Sequence, residues 1–340
     1  MSHRDSPKSI SSLFRDPERI PSSRDSHLWS DYLELRCLLD MDLEYSKSDL
    51  LEHIRQRTDL KENNVETLYD GDGTSQIGAE LGDQTQGEVN DKQQLFGDDL
   101  FRHIDFRIAE FKNFYPFRLS QGRDVLRRKR KLNKEQKLYI FLLLSSQLRY
   151  FSKQDQNWLT DDFELVCHQA LKNYLPENAP VFMFGKNRLN IGPFNGKLKD
   201  KVKNLATALN ETTTPDVEHI PESDTGDNGL DLVAWLDAGD TNKSVISFFA
   251  QCACSNETWV DKQAQSSYDT WKELLTFKVR PVNIIFIPFS YRDCLGDWHR
   301  PHNIHDSFIV DRLRALRMLK NNFARVMKLN SFTLVNKVAA

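Results

Sequence analysis

The chain has 340 residues, of which 39% are hydrophobic and 28% charged, so its length predicts about two domains and its composition allows a sizeable core. Its 46 Lys and Arg residues nearly balance 49 Asp and Glu residues, which excludes a uniformly basic nucleic-acid coat and a uniformly acidic disordered chain. Five scattered cysteines are too few for a disulfide-stabilised secreted domain. No segment approaches the ~20 consecutive apolar residues of a membrane span.

The first part of the chain is predicted to be helical after a polar start. Residues 1–27 contain three prolines and lack the apolar core of a secretion signal, so we predict a flexible arm and a cytoplasmic protein. Apolar residues at helical spacing then predict a helical region over residues 28–158. Inside it, residues 62–100 carry ten acidic residues against Lys92 alone, together with six glycines, and predict a long irregular insert. This insert is either a solvated loop or a contact surface for a basic partner protein.

Two clusters of basic residues are candidates for contacts with nucleic-acid phosphates. The first is the uninterrupted run over residues 127–131, which serves either phosphate binding or a solvated turn. The second lies in an arginine-rich final helix predicted over residues 307–327. The candidate phosphate-contacting residues are Arg127, Arg128, Lys129, Arg130, Arg312 and Arg314.

Residues 159–340 alternate between helical and extended patterns. Thr160 is placed to cap a helix whose apolar residues, from Phe163 to Leu175, fall on one stripe. An amphipathic pattern predicts a further helix over residues 259–277. Short apolar runs predict strands at Val181–Phe184, Leu230–Trp235, Val245–Gln251 and Val282–Pro288. This order of helix, three strands, helix and strand predicts an α/β domain with a mixed sheet flanked by helices.

Polar side chains mark the ends of two of these strands. Asp231 follows a turn containing two glycines and stands at the head of one apolar strand, whereas Gln251 ends the next. If the two strands form a hairpin, the two side chains converge at one edge of the sheet. A carboxylate beside an amide oxygen is an oxygen-only site of the kind that Mg²⁺ prefers.

These residues resemble a known family. The Asp-Asn-Gly-Leu-Asp turn, the strand ending in Gln-Cys and a preceding helix with Glu164 are similar to the PD-(D/E)XK nuclease superfamily, especially its Mrr-like restriction-endonuclease branch. The resemblance implies a restriction-endonuclease-like fold and Mg²⁺- or Mn²⁺-dependent hydrolysis of DNA in bacterial restriction or anti-phage defence. It also implies that Asp231, Gln251 and Glu164 hold the metal ion.

The chain departs from the family pattern at one position. Ala253 stands where the family has its catalytic lysine, and alanine cannot stabilise the charge that develops on a phosphate under attack. In parts of the superfamily this lysine has moved to the following helix, and Lys262 is the residue that could replace it here. Without such a replacement the chain would be an inactive nuclease-fold subunit that binds DNA or scaffolds a partner protein.

Two further constellations compete with a nuclease. Gln251–Ser255 faintly resembles the nucleophile segment of caspase-like peptidases, with His219 as the base. Sulfur and imidazole ligands would also suit a structural zinc ion. The candidate zinc ligands are Cys252, Cys254, Cys294, His299, His302 and His305, although their spacing is irregular.

Overall fold

A computed structural model describes residues 13–21, 23, 25–59, 86–185, 192–319 and 325–340. The chain divides into two compact units. The N-terminal unit comprises Met1–Lys137, Tyr291–His299 and Asn336–Ala340, and the C-terminal unit comprises Leu138–Ser290 and Arg300–Val335. In the part of the chain that the model describes, no helix combines the length and apolar character of a membrane span.

The N-terminal unit combines helices with a small antiparallel sheet. Its elements are α1 (Ser26–Leu39), β1 (Glu44–Ser46), α2 (Lys47–Asp59), α3 (Gln86–Phe111), β2 (Phe117–Leu119) and β3 (Val125–Arg128). The sheet has the order β1-β3-β2, and Arg127 of β3 lies opposite Glu44 on one side and Arg118 on the other. A helical N-terminal region is therefore confirmed, although it also contains a sheet.

The boundary predicted after residue 158 is wrong, because the division falls within α4 (Lys134–Ser145). The first residues of α4 belong to the N-terminal unit, whereas the apolar run from Leu138 to Leu144 is fully buried and belongs to the C-terminal unit. Burial of this run makes it part of the second core instead of the end of the first. The residues from Tyr291 to His299, expected in the C-terminal domain, likewise belong to the N-terminal unit.

Two other predictions for the N-terminal region need correction. The irregular insert is wrong over residues 86–100, because α3 begins at Gln86. Its acidic Asp98 and Asp99 face solvent while Leu100 is buried, so negative composition is compatible with one exposed helix face. Within the predicted arm, Phe14 is buried and therefore packs instead of remaining free. Residues 1–12, 22 and 24 of the predicted arm and residues 62–85 of the predicted insert lie outside the described residues.

The C-terminal unit is built on a five-stranded mixed sheet. After α4, the elements in chain order are α5 (Lys153–Tyr174), β4 (Val181–Met183), α6 (Leu198–Ala208), β5 (Thr212–Thr213), β6 (Leu232–Leu236) and β7 (Ile246–Cys252). They are followed by α7 (Trp259–Lys262), α8 (Tyr268–Trp271), β8 (Leu275–Thr276), β9 (Val282–Phe286), β10 (Phe308–Val310), α9 (Arg312–Leu319) and α10 (Ser331–Val338).

The order of the main sheet is β10-β9-β7-β6-β4. Strands β4, β6 and β7 pair antiparallel, and β7, β9 and β10 pair parallel. The predicted mixed sheet flanked by helices is confirmed. The predicted order of helix, three strands, helix and strand is too simple, because α6 and β5 lie between β4 and β6, and β8 precedes β9.

Helix boundaries differ from the predictions where polar side chains cap earlier turns. Helix α5 begins at Lys153, because the Ser152 hydroxyl accepts a hydrogen bond from the Asp155 N–H, and Thr160 lies inside the helix. The predicted helix over residues 259–277 is two short helices, α7 and α8. The Ser267 hydroxyl starts the second of them by accepting from the Thr270 N–H.

Candidate active site

The β6–β7 hairpin brings the two predicted strand-end residues together. Leu232 pairs with Ala250, and the Asp231 N–H donates to the Ala250 carbonyl at 3.0 Å, so Asp231 lies opposite Gln251 in the continuing register. One Asp231 carboxylate oxygen accepts the Cys252 N–H at 2.6 Å. The convergence of Asp231 and Gln251 at one edge of the sheet is therefore confirmed.

One cavity collects the residues that the resemblance singled out. It has a volume of about 580 Å³, and its wall includes Glu164 from α5, Asp231 before β6, Gln251 from β7 and Lys262 from α7. Four elements that are distant in sequence thus supply one polar chamber.

Burial and mutual repulsion make this chamber unfavourable for negative charge. Loss of solvation raises the pKa of Glu164, and the nearby carboxylates of Asp231, Asp161 and Asp227 raise it further. Loss of solvation also raises the pKa of Asp231, and Asp227 adds to the rise. The Lys262 ammonium opposes both rises. Three carboxyl groups therefore share the cavity with one lysine ammonium, and burial favours the protonated form of Glu164 and Asp231.

Two polar groups of the cavity lack partners among the described residues. Gln251 is 5% exposed, and its Oε1 atom is buried without a hydrogen bond. The Lys262 ammonium is half-buried and forms no hydrogen bond or ion pair there. An unsatisfied buried amide oxygen costs free energy comparable to a lost hydrogen bond. A cation in the cavity would satisfy this oxygen.

The donor set therefore fits a hard divalent cation. Carboxylate and amide oxygens are the ligands of Mg²⁺ and Mn²⁺, and a bound cation would favour the ionised form of these carboxyl groups. Among the described residues, no group of three His, Cys, Asp or Glu side chains is already drawn together as a ligand cluster. Gln251 would add an amide oxygen to the carboxylates of Asp231 and Glu164.

Ala253, at the position where the family has its lysine, is buried and does not line the cavity. Its N–H donates to the Phe286 carbonyl at 2.9 Å, which extends the β7–β9 pairing. The ammonium that lines the cavity comes instead from Lys262, nine residues further along the chain.

The geometry does not form the alternative peptidase site. Cys252 and Cys254 are buried, and loss of solvation raises the pKa of both thiols well above the ordinary value. A thiol held protonated in this way is a poor nucleophile. The side chain of His219 is 82% exposed and stands 3.7 Å from Asp216.

The candidate zinc ligands do not form a cluster either. The buried Cys252 thiol lies beside the Cys167 thiol, and the His299 imidazole bonds the Asp25 carboxylate at 2.7 Å. These are local structural contacts of the described residues, which hold no zinc-type group of three ligands.

The predicted phosphate contacts divide into buried and accessible residues. Arg128 is 4% exposed and donates to the Ala339 carbonyl, and Arg312 is fully buried and donates to the Pro288 carbonyl, so both predictions are wrong. Arg314 is half-buried and donates to the Ile309 carbonyl.

The remaining basic candidates lie in the N-terminal unit. Arg127 is exposed but bonds Glu44, and the Lys129 ammonium donates to the Tyr115 carbonyl at 2.8 Å. Arg130 is exposed and has no recorded partner among the described residues. It is the candidate left most available to a phosphate.

Other residues of the cavity were not assigned to the metal site from the sequence, although three of them belong to the Asp-Asn-Gly-Leu-Asp turn and Cys252 was a candidate zinc ligand. They are Asp227, Asn228, Gly229, Cys252, Ala264, Gln265 and Thr270. Asp227 could have been found, since it is a second acid in the same turn as Asp231. Gln265 and Thr270 carry no comparable signal, because only the break between α7 and α8 brings them to the cavity.

Comparisons of the chain with protein-family models, with curated proteins and with solved structures give no match.

Proposed function

We propose that the protein is a divalent-metal-dependent DNA endonuclease with a restriction-endonuclease-like C-terminal unit. The observation that carries the proposal is the cavity in which Asp231, Gln251, Glu164 and Lys262 meet. The order of elements around the mixed sheet supports it, since the resemblance implies a helix acid, an acid opening a strand and an amide closing the next strand. Restriction or anti-phage defence is the cellular role that this resemblance suggests.

Each residue has a role that follows from its chemistry. Asp231, Glu164 and Gln251 would hold Mg²⁺, which when bound supplies Lewis acidity towards the scissile phosphate. Lys262 would place a fixed positive charge where negative charge develops on that phosphate. The hydrogen bond from the Cys252 N–H fixes the orientation of the Asp231 carboxylate, which would bind the metal ion.

The second candidate is DNA binding without cleavage. The buried Ala253 favours it, because the strand itself offers no ammonium to the cavity. The two candidates differ in what Lys262 does. In an active enzyme its replacement abolishes cleavage, whereas in a binding subunit there is no cleavage to lose.

The test is nicking of supercoiled plasmid by the purified full chain with Mg²⁺ or Mn²⁺. We expect Asp231→Ala, Gln251→Ala and Lys262→Met each to cut at least about 100-fold more slowly than the wild type, the usual scale for loss of one charge-stabilising group. Asp261→Asn is the matched control, since this exposed acid precedes Lys262 and does not line the cavity.

Two results would contradict the proposal. Absence of any metal-dependent cutting by the wild type, together with measurable DNA binding, would favour the non-catalytic candidate. Cutting that survives Asp231→Ala would place the reaction elsewhere or assign it to a contaminant. Melting temperatures of all variants separate loss of activity from loss of fold.

A further inference from the structure

A buried lysine holds one wall of the cavity in place. Lys201 on α6 is only 2% exposed. Its ammonium donates to the carbonyls of Thr225 at 3.1 Å and Gly226 at 2.6 Å, and stands 5.8 Å from the centre of the Phe184 ring. Burying an ammonium is costly unless hydrogen bonds and negative charges compensate it. Here the cost of burying the ammonium is offset by two neighbouring backbone carbonyls, those of Thr225 and Gly226.

These two residues lead directly into the turn that lines the cavity. The Asp227 carboxylate accepts the Gly229 N–H at 2.9 Å, and Asn228 and Gly229 have φ values of 51° and 73°. A Cβ atom at Gly229 would collide with the side chain of Gln265. Glycine is therefore required here both for the positive φ and for the close approach. The turn is thus fixed at its start by Lys201 and at its end by Gly229.

The Asp227 carboxylate also packs closely against the backbone of Gly185. A Cβ atom placed on Gly185 would lie 3.1 Å from Asp227 Oδ2, so the missing side chain at Gly185 leaves room for this oxygen. Asp227 lines the same cavity as Asp231, Glu164 and Gln251, and the buried Gln251 Oε1 has no hydrogen bond among the described residues.

We propose that Asp227 is a further oxygen donor to the cation of this cavity, and that Lys201 is the residue that positions it. The inference rests on the proposed function, because it concerns the same metal ion. Its independent support is Gln251, which lines the same cavity and whose buried Oε1 has no hydrogen bond among the described residues. A cation bound in the cavity would supply the missing partner of this oxygen. Lys201 acts through the turn and does not line the cavity itself.

Direct binding of Mn²⁺ to the metal-free full chain, followed by electron paramagnetic resonance, tests both parts. We expect Asp227→Asn to raise the Mn²⁺ dissociation constant about tenfold, and Lys201→Met to raise it about threefold to tenfold. Gly185→Ala should also weaken binding, because it displaces Asp227 without removing a charge. Lys199→Met is the matched control on the same helix, since Lys199 pairs with Glu218 and Glu222.

The outcomes separate this inference from the proposed function. Wild-type affinity in Asp227→Asn would overturn the role of Asp227. A lower melting temperature with unchanged Mn²⁺ affinity in Lys201→Met would reduce Lys201 to a structural residue and overturn its positioning role. If Lys201→Met does not fold, Gly185→Ala decides whether the placement of Asp227 matters. Equal Mn²⁺ binding by the wild type and Asp231→Asn would instead remove the metal site, and with it the proposed function.

Discussion

Each unit buries a cluster of charged residues, and the two clusters are satisfied in opposite ways. In the N-terminal unit, the fully buried Arg107 donates to Asp31 at 2.6 Å and to Glu34 at 2.7 Å, and the Tyr115 hydroxyl donates to Glu34 at 2.8 Å. One guanidinium thus pairs with two carboxylates and also donates a hydrogen bond to the His27 carbonyl. Each charged side chain of this cluster thus forms an ion pair with a side chain of opposite charge.

In the C-terminal unit, three carboxylates face one lysine, and an amide oxygen is left without a partner among the described residues. The pKa of two of these carboxyls rises, first because burial removes their solvation. Under the proposed function, the first cluster serves stability through its protein partners, whereas the second would bind an external cation. The comparison predicts opposite responses to mutation.

The largest effect is expected in the completed cluster. Arg107→Met leaves Asp31 and Glu34 buried without their cation, and we expect a loss of about 3–5 kcal/mol of unfolding free energy. Urea denaturation measures it. A loss below about 1 kcal/mol would show that the two carboxylates find other partners, and the contrast between the clusters would fail.

Added Mg²⁺ should stabilise only through the incomplete cluster. A ligand at 100 times its dissociation constant stabilises the native state by about 2.7 kcal/mol. We expect a rise of the melting temperature with Mg²⁺ in the wild type and little or none in Asp231→Asn. An equal rise in both proteins would mean that the ion binds elsewhere.

Removal of charge from the cavity should stabilise the metal-free protein at alkaline pH. Since folding raises the pKa of Asp231, the native state binds more protons than the unfolded state, and stability falls as pH rises from about 4 through the raised pKa. Asp231→Asn removes this loss, so we expect it to be more stable than the wild type at pH 8 by at least about 1.4 kcal/mol, the equivalent of one pKa unit.

Urea denaturation in a chelating buffer at pH 4 and pH 8 checks this expectation. The difference between the two proteins should grow towards pH 8. A variant that is less stable at both pH values would show that the Asp231 charge is already compensated within the protein.

The smallest effect concerns DNA binding by the N-terminal unit. Arg130→Gln should weaken DNA binding severalfold and reduce the salt slope by about one, as expected for one phosphate contact. Lys197→Gln is the control, since this exposed lysine pairs with Glu222. Fluorescence anisotropy at several salt concentrations measures both. An unchanged salt slope in Arg130→Gln would make this residue part of a solvated turn.

The sequence was sufficient for the parts of the molecule that depend on local pattern. Apolar runs located β6, β7 and β9, and their polar ends located Asp231 and Gln251. The sequence was misleading where contacts with distant segments determine burial. Arg312 lies in an arginine-rich segment of the kind found on surface helices, yet its guanidinium is buried and donates to the Pro288 carbonyl. The acidic residues Asp98 and Asp99 occur within helix α3, in which Gln93 and Leu100 are buried and the two acids are exposed.

Part of the site could not be predicted because it depends on contacts between distant segments. Nothing near Lys201 in the sequence indicates that its ammonium will bind carbonyls 24 and 25 residues away. The cavity contribution of Gln265 likewise depends on the end of α7 and on the glycine turn opposite. Both are properties of the folded chain and not of a motif.

Crystals soaked in Mn²⁺ and measured at the manganese absorption edge test the central claim most directly. The account predicts an anomalous peak in the cavity, within about 2.0–2.3 Å of an Asp231 carboxylate oxygen and of Gln251 Oε1. At the same Mn²⁺ concentration the peak should be absent from Asp231→Asn crystals. A cavity without a peak in the wild type at saturating Mn²⁺, or a peak that touches neither residue, would contradict it.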